Sequence, residues 1–171
     1  MRQQSELLTQ FARAQTTDLT QKVATRLTAL HWQMATAESC TGGLIAVACT
    51  DLAGSSVWFE RGLVTYSNAA KSELLGVLPE LIATHGAVSE PVARAMAYGA
   101  VQRSHATCSL AVTGVAGPAG GSADKPVGTV WFGWCVGDAI TSQVQRFEGD
   151  RAAVRAQTVA HALAGLLVRL G

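Results

Sequence analysis

Three short stretches of the chain carry side chains suited to acyl chemistry. In Thr36-Ala37-Glu38-Ser39-Cys40-Thr41-Gly42-Gly43, hydroxyls and a thiol stand between a short apolar stretch and the apolar run Leu44 to Leu52. This pattern predicts a strand, a tight turn and a helix. N–H groups at a helix start lack partners and carry partial positive charge, so such a turn can hold a phosphate or an oxyanion beside a nucleophile. Ser39 is the candidate nucleophile, and Thr41, Gly42 and Gly43 are candidate substrate contacts. Ser39 or Thr41 could instead be a plain helix cap, the common use of a hydroxyl before an apolar helical run. Cys40 ranks below Ser39, because small thiols usually pack in cores and no histidine lies near it in sequence.

A serine hydroxyl needs a base to take its proton. Thr65-Tyr66-Ser67-Asn68-Ala69-Ala70-Lys71 delivers Tyr66 at a strand end and Lys71 on the following helix. Lysine acts as a base only where desolvation or a neighbouring cation keeps it partly neutral, and a tyrosine hydroxyl could relay the proton. The plainer alternative is a solvated lysine and a packed tyrosine.

The Gly-rich run Thr113 to Ser122 follows a predicted strand, and its N–H groups could cradle an anion, with Thr113, Gly114 and Gly117 as candidate contacts. A structural turn explains the same composition. The run has no Gly-Lys-Ser/Thr ending and leads into a strand, which disfavours an ATPase or a dinucleotide site. Arg151 and Arg155 open the last predicted helix, where a guanidinium can pair with a ligand phosphate or with a neighbouring carboxylate. The histidines, His31, His85, His105 and His161, are scattered, and Cys40, Cys49, Cys108 and Cys135 show no C-x-x-C spacing. No metal or other cofactor is expected.

The elements that must position these residues follow from periodicity. Leu7, Leu8, Phe11, Leu19, Val23 and Leu27 recur at helical spacing, so residues 1–34 read as a helical N-terminal region. Strands are predicted at Trp32 to Ala37, Val57 to Tyr66 and Cys108 to Thr113, and a hairpin at Val127 to Val136 and Ile140 to Phe147 about Gly137-Asp138. Helices are predicted from Ser67 or Asn68 through Leu75, over Val92 to Ser104 and over Ala152 to Leu170. Helices alternating with early strands before a late hairpin predict an α/β fold: a three-layer α/β/α arrangement with a mixed, mostly parallel sheet.

A length of 171 residues, 49% of them hydrophobic and 15% charged, suits one domain with a sizeable core. The net charge of +1 gathers into no basic stripe, so nucleic acid is not an expected partner. The start is polar and no apolar run is long enough to span a bilayer, so a cytoplasmic protein without membrane contact is expected.

Ala37 to Gly43, Gly54-Ser55-Ser56 with Trp58 to Gly62, Thr65 to Lys71, His85 to Val92, Thr113 to Ser122, Lys125 to Val130 and Gly149-Asp150-Arg151 together resemble the CinA C-terminal family. The resemblance runs from about Ala35 to the C-terminus. It implies a nicotinamide-nucleotide amidohydrolase that converts nicotinamide mononucleotide to nicotinic acid mononucleotide and ammonia in pyridine-nucleotide salvage. It further implies Ser39 as nucleophile, Lys71 as general base, Tyr66 as the hydroxyl that positions or relays the proton, and a homodimer. Arg151 joins the candidate substrate contacts. A nucleotide-binding regulatory module of the CinA type, with the pocket but no turnover, is the alternative.

Overall fold

The computed structural model describes residues 2–171. Helix α1 (Arg2–Leu30) is followed by strand β1 (Met34–Glu38), α2 (Leu44–Thr50), a 3-10 turn at Ser55–Val57 and β2 (Phe59–Val64). Three helices come next, α3 (Asn68–Leu75), α4 (Pro79–His85) and α5 (Glu90–Gln102). Strand β3 (Cys108–Gly114), the hairpin of β4 (Thr129–Val136) and β5 (Ala139–Arg146), and α6 (Arg151–Leu170) complete the chain.

The sheet runs β2-β1-β3-β4-β5. β1 pairs in parallel with both β2 and β3, whereas β3–β4 and β4–β5 are antiparallel, so the sheet is mixed. Side chains alternate across it as pleating requires. Met34, Leu110, Val112, Val130, Phe132 and Trp134 pack on one face with α1, α2 and α6. Ala35, Ala37, Ala111 and Cys135 pack on the other with residues of α3, α4 and α5. Three layers result, with the late antiparallel hairpin at one edge.

Sequence and structure differ where apolar periodicity is short. The N-terminal region is a single 29-residue helix. The apolar pattern does not predict α4; its seven residues start at Pro79 and carry one buried apolar side chain, Ile82, too few to show a period. The first strand is shifted to Met34–Glu38, and all its residues are buried, including Glu38.

One topological feature locates the site. After β1 the chain leaves to α2 on the face of Ile45 and Cys49, and after β2 it leaves to α3 on the face of Leu75. Neighbouring parallel strands whose helices depart to opposite faces open a crevice at their carboxyl ends, the usual binding place in open α/β sheets. Ser39 follows β1, and Tyr66 and Lys71 follow β2, at the rims of that crevice.

Candidate active site

Ser39 lies one residue beyond β1, held by its N–H bond to Val112 O of β3 at 3.1 Å. Only 9% of it is exposed. α3 starts at a true N-cap, Ser67, whose side chain accepts from Ala70 N, and this start aims Lys71 inward from the first turn. Lys71 is 1% exposed, and its Nζ stands 3.2 Å from Ser39 Oγ, 2.9 Å from Thr65 O and 3.3 Å from Tyr66 O.

Nζ donates to all three oxygens, Ser39 Oγ and the Thr65 and Tyr66 carbonyls. Once the amine gives up a proton, two N–H groups still hold the two carbonyls and its lone pair is left facing Ser39. Burial pushes the Lys71 pKa below the ordinary lysine value of 10.5. Desolvation disfavours the ammonium, so this lysine can serve as a base. Thr65 Oγ1 is also buried and has no hydrogen-bond partner among the described residues, so it can take one from a ligand. The solvated-lysine reading is thereby ruled out.

Cys40 is no rival nucleophile. Burial pushes its thiol up to about 12, which keeps it protonated. Nor does a histidine serve Ser39; His161 packs among Phe132, Trp134 and Phe147 instead. Among the described residues no three His, Cys, Asp or Glu side chains converge as a metal site would need.

Tyr66 stands differently from the relay expected of it. Its carbonyl accepts from Lys71, but its phenol is exposed, and the hydroxyl meets Arg151 Nη2 at 3.4 Å. We predict that Tyr66→Phe keeps kcat within about tenfold of wild type, against the roughly 10²- to 10⁴-fold loss expected for removing a proton carrier. Steady-state ammonia release checks this.

The Ser39–Gly43 turn also departs from expectation. Neither Ser39 nor Thr41 caps α2; the cap position is Gly43, which has φ 98° and no capping side chain. Gly42 N–H bonds to Ser39 O, and Gly43 N–H, with the Ile45 and Ala46 N–H groups of α2, bonds to the Glu38 carboxylate. The Thr41 hydroxyl also donates to Glu38, at 2.7 Å, and Thr41 is fully buried. Gly42 and Gly43 therefore have no free N–H to offer an oxyanion.

Beside the turn lies a cleft of about 650 Å³ lined by Ala116, Gly117, Pro118, Val127 and, from the start of α6, Arg151 and Arg155. Gly117 borders it and accepts from Arg151 Nη1 at 3.0 Å. Thr113 and Gly114 do not line it. The Thr113 hydroxyl is committed to Ala87 O, and Gly114 is paired with Val130 in the sheet. Among the described residues the two arginines make no salt bridge, so the pairing with a neighbouring carboxylate is not made. Arg155 donates to the carbonyls of Cys40 and Thr41, and Arg151 to Gly117 O and Tyr66, so both keep their charge for a ligand. The ion pairs among the described residues are Lys22–Asp18 and Arg61–Glu60, neither on α6.

The family model described as the CinA C-terminal domain matches residues 16–170. The chain belongs to the CinA C-terminal domain family. That match reaches into α1, farther toward the N-terminus than the motifs do. This CinA domain is 52% identical over 147 residues, 85% of this chain and 88% of the relative, to the nicotinamide-nucleotide amidohydrolase PncC of Escherichia coli K12. It is 53% identical over 151 residues to the Pseudomonas putida protein of the same name, spanning 88% of this chain and 94% of the relative. Among solved structures, the competence/damage inducible protein CihA from Agrobacterium tumefaciens superposes with a TM-score of 0.88 at 45% identity, covering 91% of this chain and 95% of that one. No helix among the described residues of the CinA domain is long and apolar enough to cross a membrane.

Proposed function

We propose that this protein is a metal-independent amidohydrolase that removes the carboxamide nitrogen of nicotinamide mononucleotide, with Ser39 as nucleophile and Lys71 as base. The observation that carries the chemistry is the buried amine 3.2 Å from the Ser39 hydroxyl and tethered by two carbonyls. The substrate is supported by the names of relatives that match most of the chain at 52–53% identity. As Ser39 Oγ bonds to the carboxamide carbon, its proton passes to Lys71. The resulting ammonium returns that proton to the leaving nitrogen, the C–N bond breaks and ammonia departs. Water then attacks the ester, with Lys71 again accepting a proton; the acyl carbon leaves as a carboxylate and Ser39 recovers its hydroxyl.

In this reading Arg151, at the cleft, takes the substrate phosphate. Arg151→Ala should raise KM about tenfold to a hundredfold, the worth of one charge-assisted contact, while kcat changes less. Initial rates over a range of nucleotide concentrations separate the two. The same reading includes pairing of two copies, with exposed Leu7 and Phe11 of α1 as apolar surface available for contact, and light scattering reads it.

Incubating the purified protein with nicotinamide mononucleotide and measuring ammonia tests the whole proposal. Release at catalytic turnover is expected. Tight nucleotide binding without ammonia would instead make this domain a regulatory module.

A further inference from the structure

Glu38 is a buried carboxylate that the proposed chemistry leaves unused. It is fully buried at the end of β1, next to the nucleophile, and among the described residues no lysine, arginine or histidine forms a salt bridge with it. Its carboxylate accepts from the Thr36 hydroxyl at 3.2 Å, the Thr41 hydroxyl at 2.7 Å, and the N–H groups of Gly43, Ile45 and Ala46 at 3.0, 3.0 and 2.8 Å. Both carboxylate oxygens thus accept, and three of their five partners are backbone N–H groups that can only donate.

The arrangement inverts the common use of a helix start. Gly42 and Gly43, at φ 60° and 98°, bend the turn so that the first free N–H groups of α2 face inward to Glu38 rather than outward to a ligand. Ser39 is the residue that follows Glu38, so the turn carrying Ser39 is closed by the side chain on one side of the nucleophile and by the helix on the other. Arg155 secures the carbonyl side of the same turn through Cys40 O and Thr41 O, at 3.1 and 2.8 Å. Lys71 comes from another strand–helix unit, so the Ser39–Lys71 distance depends on this turn keeping its place.

We infer that Glu38 is a positioning residue: it serves as the built-in anion of the α2 N-terminus and thereby holds Ser39 within bonding reach of the Lys71 amine. This inference rests on the Ser39–Lys71 reading above. A displacement of the nucleophile by about 1 Å costs on the order of 100-fold in rate without a matching loss of substrate binding. A residue that served stability alone would lower the folded fraction and leave kcat per folded molecule unchanged.

Glu38→Gln keeps the shape but turns an NH2 group toward donors, and Thr36→Val removes a single donor at a strand position suited to a β-branched residue. For both, kcat and KM on nicotinamide mononucleotide are measured per folded molecule, together with the rate at which a fluorophosphonate labels Ser39. We expect Glu38→Gln to lose about 100-fold in kcat and in labelling with KM within about threefold, and Thr36→Val to lose about threefold to tenfold in kcat. Wild-type kcat and labelling in a folded Glu38→Gln protein would overturn the inference. If that protein does not fold, Thr36→Val decides: the stated loss at unchanged KM supports the inference, and no loss overturns it. A wild-type protein that neither releases ammonia nor labels at Ser39 would instead overturn the Ser39–Lys71 reading, and the inference with it.

Discussion

Ser39→Ala releases ammonia from nicotinamide mononucleotide at least about 10³-fold more slowly than wild type, because loss of an attacking atom removes the covalent route altogether. Folding should be intact. The substitution deletes one oxygen from a residue whose backbone N–H remains bonded to Val112 O, and the Lys71 amine keeps its two carbonyl partners. Circular dichroism and thermal unfolding should therefore match wild type. Nucleotide binding, measured by calorimetry, should also persist, since Arg151 and the cleft do not depend on Oγ. Substantial turnover by the variant would remove Ser39 from the chemistry. The neighbouring thiol offers no substitute: burial keeps Cys40 protonated, so Cys40→Ala in the wild-type background should leave most of the rate in place.

How far the sequence discloses this site depends on whether the deciding contact is local. The strand–turn–helix at Ser39 and the strand–helix at Lys71 are each legible from apolar runs, glycines and a capping serine, because those signals lie within a few residues of one another. Their meeting is not. Ser39 and Lys71 are joined through parallel pairing of β1 with β2, and no spacing along the chain distinguishes a lysine that folds under its own helix from one that faces water. Within the sequence, only the resemblance carried by several motifs at once joins these residues in one site. Glu38 and Arg155 have roles that no local pattern shows. A carboxylate ending an otherwise apolar strand was the available signal for Glu38, but its partners are backbone N–H groups, which every sequence possesses. Arg155 likewise acts on two carbonyls across the fold, whereas its charge alone suggests a phosphate or a carboxylate. Tyr66 shows the reverse problem. Its residue type proposes a hydroxyl function at the lysine, whereas in the structure its carbonyl meets the lysine and its exposed phenol meets Arg151.

Lys71→Met should abolish turnover by a different route, losing about 10²- to 10⁴-fold in kcat while Ser39 remains in place, because methionine fills the same channel without a basic lone pair. The pH dependence makes the test specific. Wild-type kcat/KM should rise with pH through the lowered Lys71 pKa, since the neutral amine is the active form, and that limb should vanish from the residual activity of the variant. Stability carries the same signature. Between the folded-state value and the ordinary 10.5, the unfolded lysine holds a proton that the folded one has released, so unfolding takes up a proton and wild-type stability climbs as pH rises across this window. Below the window both states are protonated, and the cost of burying the charge is fully present. The difference in unfolding free energy between wild type and Lys71→Met should therefore shift in favour of wild type as pH rises toward 10.5, whatever its sign at neutrality. Denaturant titrations of both proteins across that range measure it. A difference that stays flat would mean that the amine titrates alike in the folded and unfolded chain, and a base with an unperturbed pKa would be almost wholly protonated at neutral pH and unable to activate Ser39.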